Sequence, residues 1–116
     1  MKPRLLLIID SDPRSSPKPA EAVRIAAGIG AWDTLQLTLY LHGPAVSLLS
    51  AESEEFPDGD NYARYLPVVR ERGHIICVAP RAISGGETSG CEADCRAIEQ
   101  AELAQLAAGC KWVLRF

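Results

Sequence analysis

The stretch Arg4-Leu5-Leu6-Leu7-Ile8-Ile9-Asp10 sets five consecutive apolar residues between two charged ones. A strand with one wet face alternates apolar and polar side chains. An unbroken short apolar run therefore reads as a strand buried on both faces, as in a parallel sheet covered on each side. Beyond it, Asp10 to Pro19 carries three prolines and three serines and is a loop. Pro19-Ala20-Glu21 then opens a helix with apolar Ala22, Val23, Ile25, Ala26 and Ile29, stopped by Gly30. Leu35, Leu37, Leu39 and Leu41 alternate with Gln36, Thr38 and Tyr40 in a second strand that ends at His42-Gly43-Pro44.

Ala45 to Ser50 predicts a short helix, and the acidic connection Glu52 to Asp60 is expected to be the most mobile part of the chain. Asp60 or Asn61 caps the next helix, whose apolar residues are Tyr62, Tyr65, Leu66, Val68 and Val69 and which Gly73 ends. Pro67 predicts a kink there, or a helix that begins only at Leu66. His74 to Pro80 reads as a third strand, and the loop Arg81 to Gly90 contains Gly85, Gly86 and Gly90. Cys91 to Ala108 predicts a long helix stopped at Gly109, and Trp112 to Phe116 a last strand. Strands alternating with helices imply an α/β three-layer sandwich: a mostly parallel sheet of four or five strands, flanked by helices on both faces. Residues 1–116 are expected to form a single domain.

The composition agrees. A chain of 116 residues, 47% hydrophobic and 23% charged, can bury a core without metal or disulfide staples. No apolar run reaches the length of a membrane span. The basic start and short apolar stretch at the N-terminus end in Asp10 without a small-residue cleavage site, so this segment reads as a strand and a cytoplasmic protein is expected. Twelve basic residues against fifteen acidic ones leave a formal charge of −3. The basic residues are scattered and form no stripe for phosphates, so direct nucleic-acid binding is not expected.

In an open parallel sheet the ligand site lies beyond the carboxyl ends of the strands. Those ends hold Asp10, Ser11 and Asp12, then His42 and Gly43, then Cys77 to Arg81. Cys77 is the candidate nucleophile, because a thiolate near Arg81 or a following helix N-terminus has a lowered pKa. Against this stands the usual home of cysteine, an apolar buried strand. His42, on the same edge, is a candidate base or hydrogen-bond donor. His74 begins its strand, roughly 10 Å from Cys77 at about 3.3 Å per residue.

Cys91 and Cys95 are four apart; on a helix they share a face, as a redox pair, a second sulfur acceptor or plain packing residues. CxxxC with isolated Cys77 and Cys110 does not make two close ligand pairs, so no metal is expected. Asp10-Ser11-Asp12 matches the DxD of aspartyl-phosphate phosphatases only in its two carboxylates. Pro13-Arg14 breaks the continuation, which leaves a turn and capping segment.

The segment Ile75-Ile76-Cys77-Val78-Ala79-Pro80-Arg81-Ala82-Ile83-Ser84-Gly85 resembles the DsrE/DsrF/TusD-like sulfur-relay family, in which a strand delivers a sulfur-carrying cysteine and a glycine-containing loop follows. The likeness extends over nearly the whole chain, through the first strand, the Pro19 to Ala27 helix, the His42-Gly43 turn and the closing Cys110 to Phe116. In place of the arginine that often precedes the family's glycine stands Ser84, with the nearest arginine at Arg81. The resemblance implies that Cys77 accepts sulfane sulfur as a persulfide and passes it to a partner protein, a sulfurtransferase by carrier chemistry without a cofactor. His42 and Arg81, by position, and Gly85, in the glycine-containing loop, are the candidate assisting residues, with Cys91 and Cys95 as candidate secondary thiols. Donor and acceptor proteins are the implied partners, within a homo- or hetero-oligomer. The alternative is a non-catalytic small-ligand-binding or structural subunit of a DsrE-like oligomer, with Cys77 inert.

Overall fold

In the computed structural model, which describes residues 2–31, 34–50, 52–81 and 95–116, the apolar run is strand β1, Arg4–Ile9. It has a neighbour on each side: β2, Gln36–Leu41, and β5, Trp112–Arg115. Strands β3, Ile75–Val78, and β4, Arg96–Ala97, extend the sheet beyond β2. The order is β4-β3-β2-β1-β5, and every pair is parallel. The α/β class with a parallel five-stranded sheet is thus as the sequence predicts. The two-residue β4 was not foreseen, because Arg96-Ala97 carries no apolar pattern.

Helix α1, Lys18–Gly30, links β1 to β2, and α2, Asp60–Glu71, links β2 to β3. Both steps move along the sheet in one direction, so right-handed crossovers place both helices on one face. The return from β4 to β5 runs the other way and carries α3, Gln100–Gly109, onto the opposite face. The side-chain period of two divides the strands accordingly. Leu5, Leu7, Ile9, Leu37, Leu39, Leu41, Ile76 and Val78 join the core beneath α1 and α2. Leu6, Tyr40 and Cys77 join Ile98 in a second cluster beneath α3.

The two layers are unequal. Among the described residues, the first cluster holds twenty buried residues and the second holds four. Helix α3 buries none of its side chains; Leu103, Leu106 and Ala107 only half-cover the sheet. β5 leaves Trp112 43%, Val113 47% and Leu114 39% exposed.

Four local expectations need correction. The helix predicted over Cys91 to Ala108 is not continuous: among the described residues Cys95 lies directly before β4 and α3 starts at Gln100. Pro67 does not start α2, which already begins at Asp60; it sits inside the helix on its exposed side, where the missing backbone bond faces water. Asn61 is no cap: it lies in the first turn, and its Nδ2 donates to the Ala20 carbonyl at 3.2 Å, tying α2 to α1. The acidic connection is a run of hydrogen-bonded turns around a 3-10 helix, Ser53–Glu55. Gly59 closes it so tightly that a Cβ there would collide with the Ser53 and Glu54 carbonyls. The segment predicted as a short helix forms a 3-10 helix, Gly43–Leu49. No helix among the described residues is long and apolar enough to cross a membrane.

His74 fixes the register at the amino ends of β2 and β3. Its Nδ1 accepts the Leu37 N–H at 3.1 Å, and its Nε2–H donates to the Gly30 carbonyl at 2.9 Å. One imidazole thus ties the end of α1 to the start of β2. Only glycine fits at position 30, because a Cβ there would lie 2.8 Å from His74 Cδ2. His74→Ala orphans both backbone groups and is expected to cost about 1–3 kcal/mol in urea unfolding. Gly30→Ala pushes the ring away from the same partners, so the double variant should cost clearly less than the sum of the singles. Additive losses would show that the two residues do not act as one unit.

Candidate functional site

Beyond the carboxyl ends of β2, β3 and β4 lies a cleft of about 1110 Å³. β2 delivers Tyr40, Leu41 and His42 to it, the end of β3 delivers Ala79, Pro80 and Arg81, and the end of β4 delivers Ile98, Glu99 and Gln100. Arg14 approaches from the loop after β1. Its place is set by Asp12, whose Oδ1 accepts the Arg14 N–H at 3.0 Å. The 3-10 helix Gly43–Leu49 and the residues after it close the far wall with Ser47, Ser50 and Glu52.

His42 is exposed on the rim. Its backbone N–H continues the ladder by donating to the Ile9 carbonyl at 2.9 Å. Its ring stacks on Tyr40, centroids 6.3 Å apart and planes 26° from parallel. Tyr40 itself is 2% exposed, and burial pushes its phenol pKa up, with a further push from Cys77 and an opposing pull from Arg81. Arg81, exposed, stands on the same rim.

Cys77 does not line this cleft. It pairs in register with Tyr40 on one side and Arg96 on the other, and is only 2% exposed in the second core. Two members of that core, Tyr40 and Ile98, also form the cleft wall. The thiol therefore lies one side-chain layer behind the cleft. Burial raises its pKa above the ordinary thiol value; Arg96 pulls it back down, while Cys95 and Glu102 add to the rise. The lowered pKa anticipated from a strand-end position is not found, because Cys77 is within β3 and its side chain faces the sheet's covered side.

The anticipated site residues thus divide. His42 and Arg81 meet at the cleft, while Cys77 lies behind it and makes no hydrogen bond with His42. Cys95 lies half-buried against the larger core, off the helix that was to present it beside Cys91. Gly85 and Cys91 lie outside the described residues. Cys110 caps α3 as a half-buried thiol, its pKa raised by burial and lowered by Arg4. Asp10 pairs with Arg115 at 2.6 Å and Ser11 Oγ donates to the Phe116 carbonyl at 3.0 Å, so this turn anchors the end of β5. Among the described residues, no three His, Cys, Asp or Glu side chains gather as metal ligands. The sequence reading missed Arg14 and the wall residues Tyr40 and Ile98. Tyr40 was legible as the one large amphipathic side chain in a strand of leucines.

No family model matches the chain, and no curated protein sequence does. Among solved structures, the crystal structure of the YchN protein from E. coli matches with a TM-score of 0.78, covering 100% of both chains at 19% identity. The likeness is one of fold.

The raised Cys77 pKa fixes the sign of a pH effect. The native state keeps a proton that the unfolded chain releases above the ordinary thiol value of about 9. The stabilisation is whole below that value and is lost as pH rises through it toward the native pKa. Wild-type stability should therefore fall more steeply than that of Cys77→Ala when urea midpoints are followed from about pH 8 to about pH 10.5. Parallel curves would show that the thiol is not held protonated by the fold.

Proposed function

We propose that the protein is an intracellular sulfur carrier that takes sulfane sulfur as a persulfide on Cys77 and passes it to a partner protein. The observation that supports this is the position of Cys77 one layer behind a cleft at the strand ends, in a fold shared with DsrE-like proteins. A persulfide held there is screened from water and from adventitious thiols. Loading requires Tyr40 and Ile98 to move aside, and the half-covering α3 leaves room for that movement. Arg96, beside Cys77 in the ladder, favours the thiolate once the site opens.

The transfer balances without an oxidant. The Cys77 thiolate attacks the outer sulfur of a donor persulfide, R–S–SH, and the donor's S–S bond breaks. R–S⁻ leaves and takes up the proton that Cys77 released, so Cys–SH and R–S–SH become Cys–S–SH and R–SH. Discharge is the same exchange onto an acceptor thiol. Arg81 and His42 on the rim favour the anionic species that approach, and the exposed Trp112, Val113 and Leu114 offer a protein partner apolar surface. A second reading, a small-ligand-binding subunit with Cys77 inert, draws on the cleft's own lining of Arg14, His42 and Arg81.

Incubation with a polysulfide, or with a cysteine desulfurase and cysteine, followed by intact-protein mass spectrometry tests the proposal. Wild type should gain reducible sulfur that peptide mapping places on Cys77, and Cys77→Ser should lose that gain. Ile98→Ala, which thins the wall, should load and react with iodoacetamide several-fold faster. Sulfur gain unchanged in Cys77→Ser, or none in either protein, would remove Cys77 as the carrier and leave the ligand-binding reading.

A further inference from the structure

Cys77 and Tyr40 are partners in register on adjacent parallel strands, which run about 4.8 Å apart, so their side chains leave one face of the sheet side by side. The tyrosine belongs to the same small core as the thiol, and it also lines the cleft. Further along the chain from Cys77, the first residue at the cleft is Ala79, whose side chain is a single methyl group and screens little. Among the described residues, Tyr40 and Ile98 are the two that belong both to the thiol's core and to the cleft wall. The screen between cleft and thiol is therefore these two side chains, and the tyrosine is the larger.

His42 lies on that tyrosine. Its backbone is extended, at φ −109° and ψ 136°, so the alternation of β2 carries through it and puts its ring on the same face as Tyr40, two residues before it. The centroid distance of 6.3 Å and the interplanar angle of 26° are those of an offset aromatic pair. The His42 backbone is itself held, through its N–H on the Ile9 carbonyl at 2.9 Å. An exposed ring on a fixed backbone, stacked on a buried tyrosine, adds little to the core but restrains that tyrosine. We propose that His42 is a positioning residue, which acts as a flat ring and not as a base: stacked on Tyr40, it holds the phenol closed over Cys77. A ligand or partner that draws His42 off Tyr40 would then free the route from the cleft to the thiol. As a gate for sulfur this rests on the persulfide reading; as a gate for the thiol it does not.

The test follows iodoacetamide labelling of Cys77 in the full chain at one pH, with peptide mapping, beside urea unfolding of the same variants. An aromatic pair shifts a closed-to-open equilibrium by roughly two- to tenfold, so His42→Ala should label faster by about that factor. His42→Phe keeps a ring over Tyr40 and should label at the wild-type rate, as should Tyr40→Phe, which loses only the hydroxyl. Urea midpoints of the His42 variants should match wild type. The proposal is overturned if His42→Ala labels as slowly as wild type, or if His42→Phe labels as fast as His42→Ala. Faster labelling that is matched by an equal loss of global stability would also overturn it, because the whole fold and not the latch would then have loosened. With a polysulfide donor, His42→Ala should gain sulfur faster, whereas a base at this position would make it slower. Faster labelling with no sulfur gained in any variant would retire the carrier reading and leave the gate standing.

Discussion

A parallel strand with an unbroken apolar run, here Leu5 to Ile9, must have both of its faces covered. In β1, Leu6, Leu7 and Ile9 are wholly buried, and each side chain so buried contributes roughly 1.5–3 kcal/mol. Leu7 and Ile9 are covered by α1 and α2, whereas Leu6 depends on α3 and the short β4–α3 connection. The chain must therefore travel out along the sheet on one face and back on the other. That path gives the order β4-β3-β2-β1-β5 and opens a cleft where the strands end.

Among the described residues, the two faces are covered unequally. The α1 and α2 side is a continuous core, tied by His74 across Gly30 and Leu37 and by Asn61 to Ala20. Among the described residues, the α3 side is a four-residue cluster under a helix with no buried side chain. Local opening is easiest where few apolar contacts must be given up. Cys77, among the described residues the one cysteine of a central strand, lies on that side, with Ile98 and Tyr40 in the same cluster. Burial raises the pKa of that thiol, and Arg96, its neighbour in the ladder, opposes the rise.

Much of the architecture was legible because it rests on hydrophobic pattern. Leu5 to Ile9 announced a doubly buried strand, and the leucine alternation from Leu35 located β2. What escaped was structure set by tertiary contact. Arg96-Ala97 has no strand pattern and is one only because β3 offers a free edge, and placing it there removed Cys95 from the expected helix. A helix start as late as Leu66 was wrong because exposure on one side of α2 makes the hydrogen bond lost at Pro67 cheap. The site was half legible: strand ends located His42 and Arg81. The face on which Cys77 lies depends on register, and a strand buried on both sides hides that choice. Tyr62 and Arg70 looked like an ordinary helix face, since nothing local tells that polar atoms of theirs are buried without hydrogen-bond partners.

The central claim is that Cys77 becomes reachable through a local opening of the thin face. Thiol labelling under native conditions, with Cys77 as the sole cysteine after the other three are changed to serine, measures that opening against urea concentration. The account predicts a labelling rate well above that allowed by global unfolding, with only a weak dependence on urea, because little surface is exposed. A rate that tracks global unfolding, with the full urea dependence of that transition, would contradict it.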